Sequence, residues 1–517
     1  MGEISMSHFE TKYLFVALTV FLTACGGGGG SDSGASGAAT SGAPGIQYQS
    51  VAINFTANIQ NASVSPVNSG GPISSCVAVP TLPSNLKLDQ TSCTISGAPR
   101  GPSPLTSYKI TATGPDGSSS TTVAINAVLP SETLTGSLNI FWGQNGLAAP
   151  SITNLSVRAQ VQQSDGKMLV LADNSTTQLN LLRFNTDGSV DATFGSGGAI
   201  AYNCTSFGNP NCESYNLLLQ SDGKIIIAGI SGNANPNDGF YVLRLNADGS
   251  GDSSFGTGGV ALVLFTNGIE TGFSSASLDP DTGNIVLAGT NWTGAQWSPV
   301  VARLTPSGAL DSTFGTAGKV NLTGFTSYIV RSFGYDVNTK KYYIGASTGS
   351  GGALLRLTPA GVLDTTFGSS GSVSFSDSNF MSQAKESIAV QFADGDILIV
   401  AGSHLLRFSL AGSLDTTFGT SGVVTLASAA VSVQLIVEAS EKILVAAGQS
   451  SGSASVTRYS ALGVKDTSYG SSGVFSLGNS YGNVQFVNAV VNSSSGLLMF
   501  LAQSVTSGNA IYLFGLN

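Results

Sequence analysis

The sequence predicts an all-β chain, a small β-sandwich followed by a seven-bladed β-propeller closed by strand exchange between the two ends of its repeat array. Three observations predict it. A phrase built on an aromatic-glycine pair recurs at Trp142-Gly143, Phe194-Gly195, Phe255-Gly256, Phe314-Gly315, Phe367-Gly368, Phe418-Gly419 and Tyr469-Gly470, at intervals of 51 to 61 residues. Recurrence at such a period marks a copied structural unit rather than an active site. Between the phrases lie pieces such as "LQSDGKIIIAG" and "FYVLRLNADGS", short apolar runs punctuated by Asp-Gly or Pro-x-Gly turns, so that each unit offers about four short strands. The ends of the array are complementary: "LNIFWGQNGLAAP" from Leu138 has the phrase without the strands before it, and "FVNAVVNSSSGLLMFLAQSVTSGNAIYLFGLN" has the strands without the phrase. Joined, they make one further unit with no unprotected sheet edge. A linear β-solenoid, the rival architecture, would need capping units and gives no reason for complementary ends.

The elements follow in order. Residues 1–24 read as a signal segment, with an apolar run from Tyr13 to Ala24 too short to span a bilayer as a helix. Lys12 is the only Lys or Arg ahead of that run, and a start at Met6 instead of Met1 would shorten the polar opening. Leu22-Thr23-Ala24-Cys25 resembles a bacterial lipobox, which implies lipidation of Cys25 and cleavage before it. Two or three acyl chains make a stable anchor, and Gly26 in place of Asp after the cysteine points to the outer membrane of a Gram-negative bacterium, facing either side. Residues 25–45, nearly all Gly, Ser and Ala, form a flexible tether.

Residues 46–129 alternate apolar and polar in "YQSVAINFTANIQNASVSP", and "SYKITATGPDGSSSTTVAINAV" reads as two strands about a Pro-Asp-Gly turn. The phrases Leu82-Pro83-x-x-Leu86-x-Leu88, Ile95-Ser96-Gly97-x-Pro99 and Tyr108-x-Ile110-Thr111-Ala112 resemble the Ig-like domains of bacterial surface proteins, which implies an Ig-like β-sandwich used as a spacer. Besides Cys25 there are four cysteines, Cys76, Cys93, Cys204 and Cys212. An even number in an exported chain suggests disulfides. Three pairings are possible, and Cys76–Cys93 with Cys204–Cys212 is favoured because each bridge stays local. Zinc ligation competes poorly, since neither histidine, His8 or His404, lies near a pair.

Residues 130–517 hold the repeats. Arg183, Arg244, Arg303, Arg356, Arg407 and Arg458 each precede an aspartate by eight residues: Asp191, Asp252, Asp311, Asp364, Asp415 and Asp466. Eight residues folded about a central turn set the two side chains opposite one another, so the six pairs read as structural ion pairs. In the shared unit Gly515 takes the arginine slot and Asn139 the aspartate slot. "SDGKIIIAG" at Ser221 and "LRLNADGSGDSSFGTGGV" at Leu243 resemble the delta-60 repeat of bacterial propellers, which implies a fold and a surface address but no assigned activity. The fourth unit departs most from that repeat, with "NTKKYYIGAS" at Asn338.

Chemistry is sparse. The net charge is −9 with no Lys/Arg cluster, which argues against nucleic acid as partner. His404 alone remains after processing and reads as a strand or loop residue rather than a general base. "LDPDTGN" (Leu278 to Asn284) can be drawn as a calcium loop, although turn chemistry explains it equally well. No cofactor, metal or catalytic residue is expected, and the chain is expected not to be an enzyme. Trp292 and Trp297, in an insertion of the third unit, offer faces for a sugar ring or a protein partner, unless they pack on the neighbouring blade. The expectation is a lipid-anchored cell-envelope protein acting as a binding or adhesion module for a glycan or protein. The alternatives are a scaffold in an envelope complex and a polysaccharide-active enzyme whose site goes unrecognised.

Overall fold

The structure, a computed structural model, describes residues 42–516 except 51, 57–60, 84–85, 100–102, 129–146, 149–154, 176, 208–211, 233–238, 266–269, 349–350, 376–387, 392–394, 427–429, 439, 450–452, 478–483, 492–497 and 505–510. Cys25, Asn139 and Trp142-Gly143 lie outside the described residues.

The N-terminal part is Ig-like. One sheet has the order Ala52–Thr56, Gly117–Val128, Ser103–Gly114, Ser75–Val79, and a second has Asn61–Val64, Ile95–Gly97, Leu86–Leu88. The long hairpin turns between Gly114 and Gly117, where Pro115 and Asp116 supply the turn. Alternate residues Tyr108, Ile110 and Ala112 face Val123 and Ile125 in a core that also takes in Phe55 and Ile95. Cys76 and Cys93 are bridged inside this core, with Cα atoms 5.4 Å apart.

The remainder is a succession of four-stranded antiparallel sheets. The first runs Ser156–Gln162, Met168–Ser175, Gln178–Phe184, Ala199–Asn203, and the second Cys212–Leu219, Ile225–Ser231, Gly239–Leu245, Val260–Leu264. The third runs Glu270–Leu278, Ile285–Trp292, Trp297–Leu304, Lys319–Asn321, and the fourth Ile329–Tyr335, Tyr342–Thr348, Gly351–Leu357, Ser372–Phe375. The fifth runs Ile388–Val390, Ile397–Ala401, His404–Phe408, Val423–Thr425, and the sixth Ala430–Val437, Ile443–Gln449, Ala454–Tyr459, Val474–Ser476. A further sheet joins Val484–Val491, Leu498–Ser504 and Ile511–Leu516 to Leu147–Ala148, which pairs with Phe514 and Leu513. The fourth unit, despite its divergent sequence, forms an unbroken strand Tyr342–Thr348.

Burial explains the two middle strands of each sheet. They are covered on both faces, so they read as continuous apolar runs such as Ile225–Ser231 rather than alternating ones. Apolar clusters fall between consecutive sheets. One joins Leu169, Leu171 and Leu181 of the first sheet to Ile225, Ile227 and Leu243 of the second. Another joins Val157, Met168 and Val170 of the first sheet to Met499, Leu501 and Leu513 of the last. There the Gln160 amide donates to Met499 O at 2.8 Å, and Val157 N donates to Gln503 Oε1 at 3.1 Å.

Candidate functional site

The strand order gives the array two faces, and they are built differently. On one, the turn after the third strand of each sheet carries the arginine-aspartate phrase. Arg183, Arg244, Arg303, Arg356 and Arg458 donate from Nε to Asp191, Asp252, Asp311, Asp364 and Asp466 at 2.7 to 2.8 Å, and Arg407 does so to Asp415 at 2.8 Å. Each guanidinium lies over the buried aromatic of its own phrase, Phe194, Phe255, Phe314, Phe367, Phe418 or Tyr469, with its central carbon 4.3 to 4.8 Å from the ring centroid. A lysine just before the second strand joins four of the pairs, in an Asp-Gly-Lys turn for the first two: Lys167, Lys224, Lys341 and Lys442 reach Asp191, Asp252, Asp364 and Asp466 at 2.7 to 2.9 Å.

The same phrase latches each sheet to the next. Arg303 Nη1 donates to Pro359 O at 2.7 Å, Arg407 Nη1 to Ala461 O at 2.8 Å, and Arg356 Nη1 to Leu410 O. Gly256, Gly315, Gly368 and Gly419 each donate their N–H to a carbonyl of the next sheet's turn, Ser307, Ala360, Ala411 and Leu462, at 2.8 Å. The aromatic then covers the turn glycine of that sheet. Gly308 has φ +88°, and a Cβ there would lie 2.9 Å from the Phe255 ring. These charges are therefore committed to the fold.

Their electrostatics agree. The Thr193 hydroxyl and Lys167 ammonium hold Asp191 well below the usual carboxylate range, Lys224 and the Ser254 hydroxyl do so for Asp252, and the Thr417 hydroxyl for Asp415. At Asp311, Asp364 and Asp466 burial pushes upward, but hydroxyl and cation donors outweigh it.

The opposite face is open. A cavity of about 380 Å³ is bordered by the first strand of every sheet, among them Arg158, Tyr215, Ser274, Arg331, Ile388, Gln434 and Asn488. In most of these strands the pairing register slips by one residue at the same place, between Val157 and Ala159, Ser214 and Asn216, Phe273 and Ser275, and Val330 and Ser332. The extra residue is Arg158, Tyr215, Ser274 or Arg331, and a bulge re-aims such a side chain, here to the wall of this cavity.

Polar groups gather between the first two sheets. Arg158 Nε donates to Asp173 Oδ2 at 2.8 Å, and its guanidinium lies 5.8 Å from the Tyr215 ring centroid. The Tyr215 hydroxyl donates to Glu213 Oε2 at 2.6 Å. Burial pushes the Asp173 carboxyl up to about 6 against the opposing pull of Arg158. A side cavity of about 250 Å³ opens beside this group, lined by Tyr215, Phe273, Thr290, Trp297 and Arg331. Tyr215 and Phe273 stack there with centroids 5.8 Å apart.

The tryptophans are not on a loose loop. The inserted residues lengthen two strands, Trp292 and Trp297 face each other across the hairpin end with ring centroids 5.1 Å apart, and both are half-buried. Only Thr293 to Gln296 form the exposed turn. The bridge between Cys204 and Cys212 pins the entry to the second sheet on this same face, one residue from Glu213. Arg158, Tyr215 and Arg331 carried no sequence signal, because a bulge breaks the two-residue alternation that assigns sides of a strand.

Other sequence candidates sit elsewhere. His404 begins the third strand of the fifth sheet, paired with Ala401 and Thr425. In the Leu278 to Asn284 loop Lys340 stands between the carboxylates, 3.4 Å from Asp279 and 2.7 Å from Asp281, so an ammonium fills the place drawn for calcium. Among the described residues no three His, Cys, Asp or Glu side chains come together as metal ligands.

Comparison with known proteins accords with this architecture. Residues 163–194, 220–255 and 282–314 match the family described as "Domain of unknown function (DUF5122) beta-propeller", and residues 38–128 match "Putative Ig domain". No curated protein matches the chain. Among solved structures, the Dos1 propeller is 11% identical with a TM-score of 0.41, covering 70% of this chain and 78% of its own. The Cps50 (Swd1) β-propeller domain of Myceliophteria thermophila is 10% identical with a TM-score of 0.41, covering 71% and 98%. A quinonprotein alcohol dehydrogenase-like protein of Bacteroides thetaiotaomicron is 10% identical with a TM-score of 0.34, covering 91% and 99%. The chain is thus a β-propeller protein that matches DUF5122 in three stretches of its repeats, with an Ig-like domain on its N-terminal side.

Proposed function

We propose that this is a lipid-anchored, non-enzymatic binding module of a bacterial cell envelope, with seven sheets closed into one ring and its ligand, a glycan or a protein, held on the face that carries Trp297. The observation that carries the reading is the convergence of Trp297, Tyr215, Phe273 and Arg331 on one cavity, while the arginines and aspartates of the other face are committed to the latches. Loops and strand ends on a rigid scaffold are where binding is placed. Anchoring rests on Leu22-Thr23-Ala24-Cys25, with 25–45 as tether and the Gram-negative outer membrane as address. Binding of the full-length chain in detergent to a glycan array, beside Trp292→Ala/Trp297→Ala, tests it. Saturable binding lost in the double variant is expected, and a ligand that binds the variant equally well contradicts the placement.

A scaffold role has one observation in its favour. On the latch face the turns of the fourth to sixth sheets expose Val362, Leu410, Leu462 and Val464, at 60%, 42%, 56% and 64%. The corresponding turns of the first two sheets carry Asp187 and Asp248 instead. Such an apolar arc suits a protein partner.

A further inference from the structure

We propose that the side cavity takes a carboxylate-bearing saccharide, with Arg331 pairing the carboxylate and Trp297 and Tyr215 holding the sugar ring. This rests on the binding reading above and names its ligand class. The described arginines are otherwise committed. Six are tied to the repeat aspartates, and Arg158 is tied to Asp173. Arg331 has no carboxylate within ion-pair distance among the described residues. Its Nε donates to Ser347 Oγ at 3.1 Å, which fixes the guanidinium plane and leaves the two terminal nitrogens to a ligand.

Arg331 borders both the larger cavity and the side cavity, so its charge faces each of them. A planar guanidinium fits a carboxylate through two parallel hydrogen bonds, and Arg331, half-buried in the cavity wall, is placed to select an anion. The neighbouring acids do not cancel it, since Asp173 is held by Arg158 and Glu213 accepts from the Tyr215 hydroxyl.

The rest of the wall is aromatic. Trp297, Tyr215 and Phe273 line it with the ring surface that their own pairings leave uncovered, apolar surface of the kind that covers the C–H face of a pyranose, whereas an inorganic anion would use none of it. At about 250 Å³ the cavity lies just below the usual range for organic ligands. It therefore suits one acidic residue, terminal or branching, rather than a length of polymer. The Trp292–Trp297 pair at its rim would meet the next sugar.

The test uses the full-length chain in detergent and three probes: oligogalacturonate, its methyl ester, and a neutral oligogalactose of equal length. The free acid is expected to bind about tenfold or more tighter than the ester, the effect of one or two charge-assisted hydrogen bonds. Arg331→Gln should erase that preference while the thermal midpoint stays near wild type, because Ser347 is its one hydrogen-bond partner among the described residues. Trp297→Ala should weaken acid and ester alike. Equal binding of acid and ester, or a preference that survives Arg331→Gln, overturns this inference and leaves a binding module. If none of the three binds while the glycan array of the preceding section finds another ligand lost on Trp292→Ala/Trp297→Ala, the acid-sugar inference fails alone. If that array is also blank, both fail.

Discussion

Arg356 is used four times: it donates to Asp364 and to the Thr366 hydroxyl, lies over Phe367, and reaches Leu410 O in the next sheet. Removing one partner of a buried pair leaves a stranded charge, and here Lys341 still faces Asp364. Arg356→Ala should therefore cost about 3 kcal/mol in urea unfolding, near the lower end for such losses. A variant on the exposed turn, Val362→Ser, should stay within about 0.5 kcal/mol. The aspartates also fix the acid limb of stability. All six have folded pKa values below the unfolded value of about 3.9, so their contribution is full above that pH and is lost as pH falls through the folded values. Asp173 has the opposite sign. Its folded pKa of about 6 lies above the unfolded one, so it stabilises below about pH 4 and weakens the fold as pH rises toward 6. Asp173→Asn should gain about 2 kcal/mol on wild type between pH 4 and pH 7, read from urea midpoints across that range. A difference that is flat with pH would contradict it.

At the scale of elements, the sequence reads well where a residue's role is local. The eight-residue spacing of Arg303 and Asp311 is a property of one turn, and so is the glycine after each aromatic. The partner of Arg303 Nη1 is not local, for Pro359 lies in the next sheet and no spacing within a repeat reports it. The tryptophan hairpin shows a second limit. Its extra residues suggest a loop, yet Trp292 to Gln296 close a hairpin of two lengthened strands because Thr290, Asn291 and Ser298 are buried between neighbours and must pair their backbones. The bulges set the third limit. "SVRAQVQ" and "IVRSFGY" alternate well enough to be strands, but the slip at Arg158 and Arg331 decides which side chain reaches the cavity, and only pairing with the next strand reveals it.

At the scale of the molecule, the two ends meet. Leu147–Ala148 adds to the sheet formed by Val484–Val491, Leu498–Ser504 and Ile511–Leu516, and the first sheet shares an apolar cluster with it. That unit has Gly515 opposite Met499, the register position that arginine holds opposite Leu169 or Ile226 in other sheets. Lacking the ion pair, it depends on the borrowed edge strand and on contacts to both neighbours. The arrangement makes the N-terminal end of the array part of the fold of its C-terminal end, and the larger cavity is bordered by the first strand of this sheet as well as of the other six. Hydrogen exchange on a variant lacking 138–148 tests this most directly. Closure predicts lost protection in Ile511–Leu516 and Leu498–Ser504, spreading to Ser156–Gln162, while the third and fourth sheets keep theirs. Protection unchanged in the last sheet would show that the ends do not close the ring.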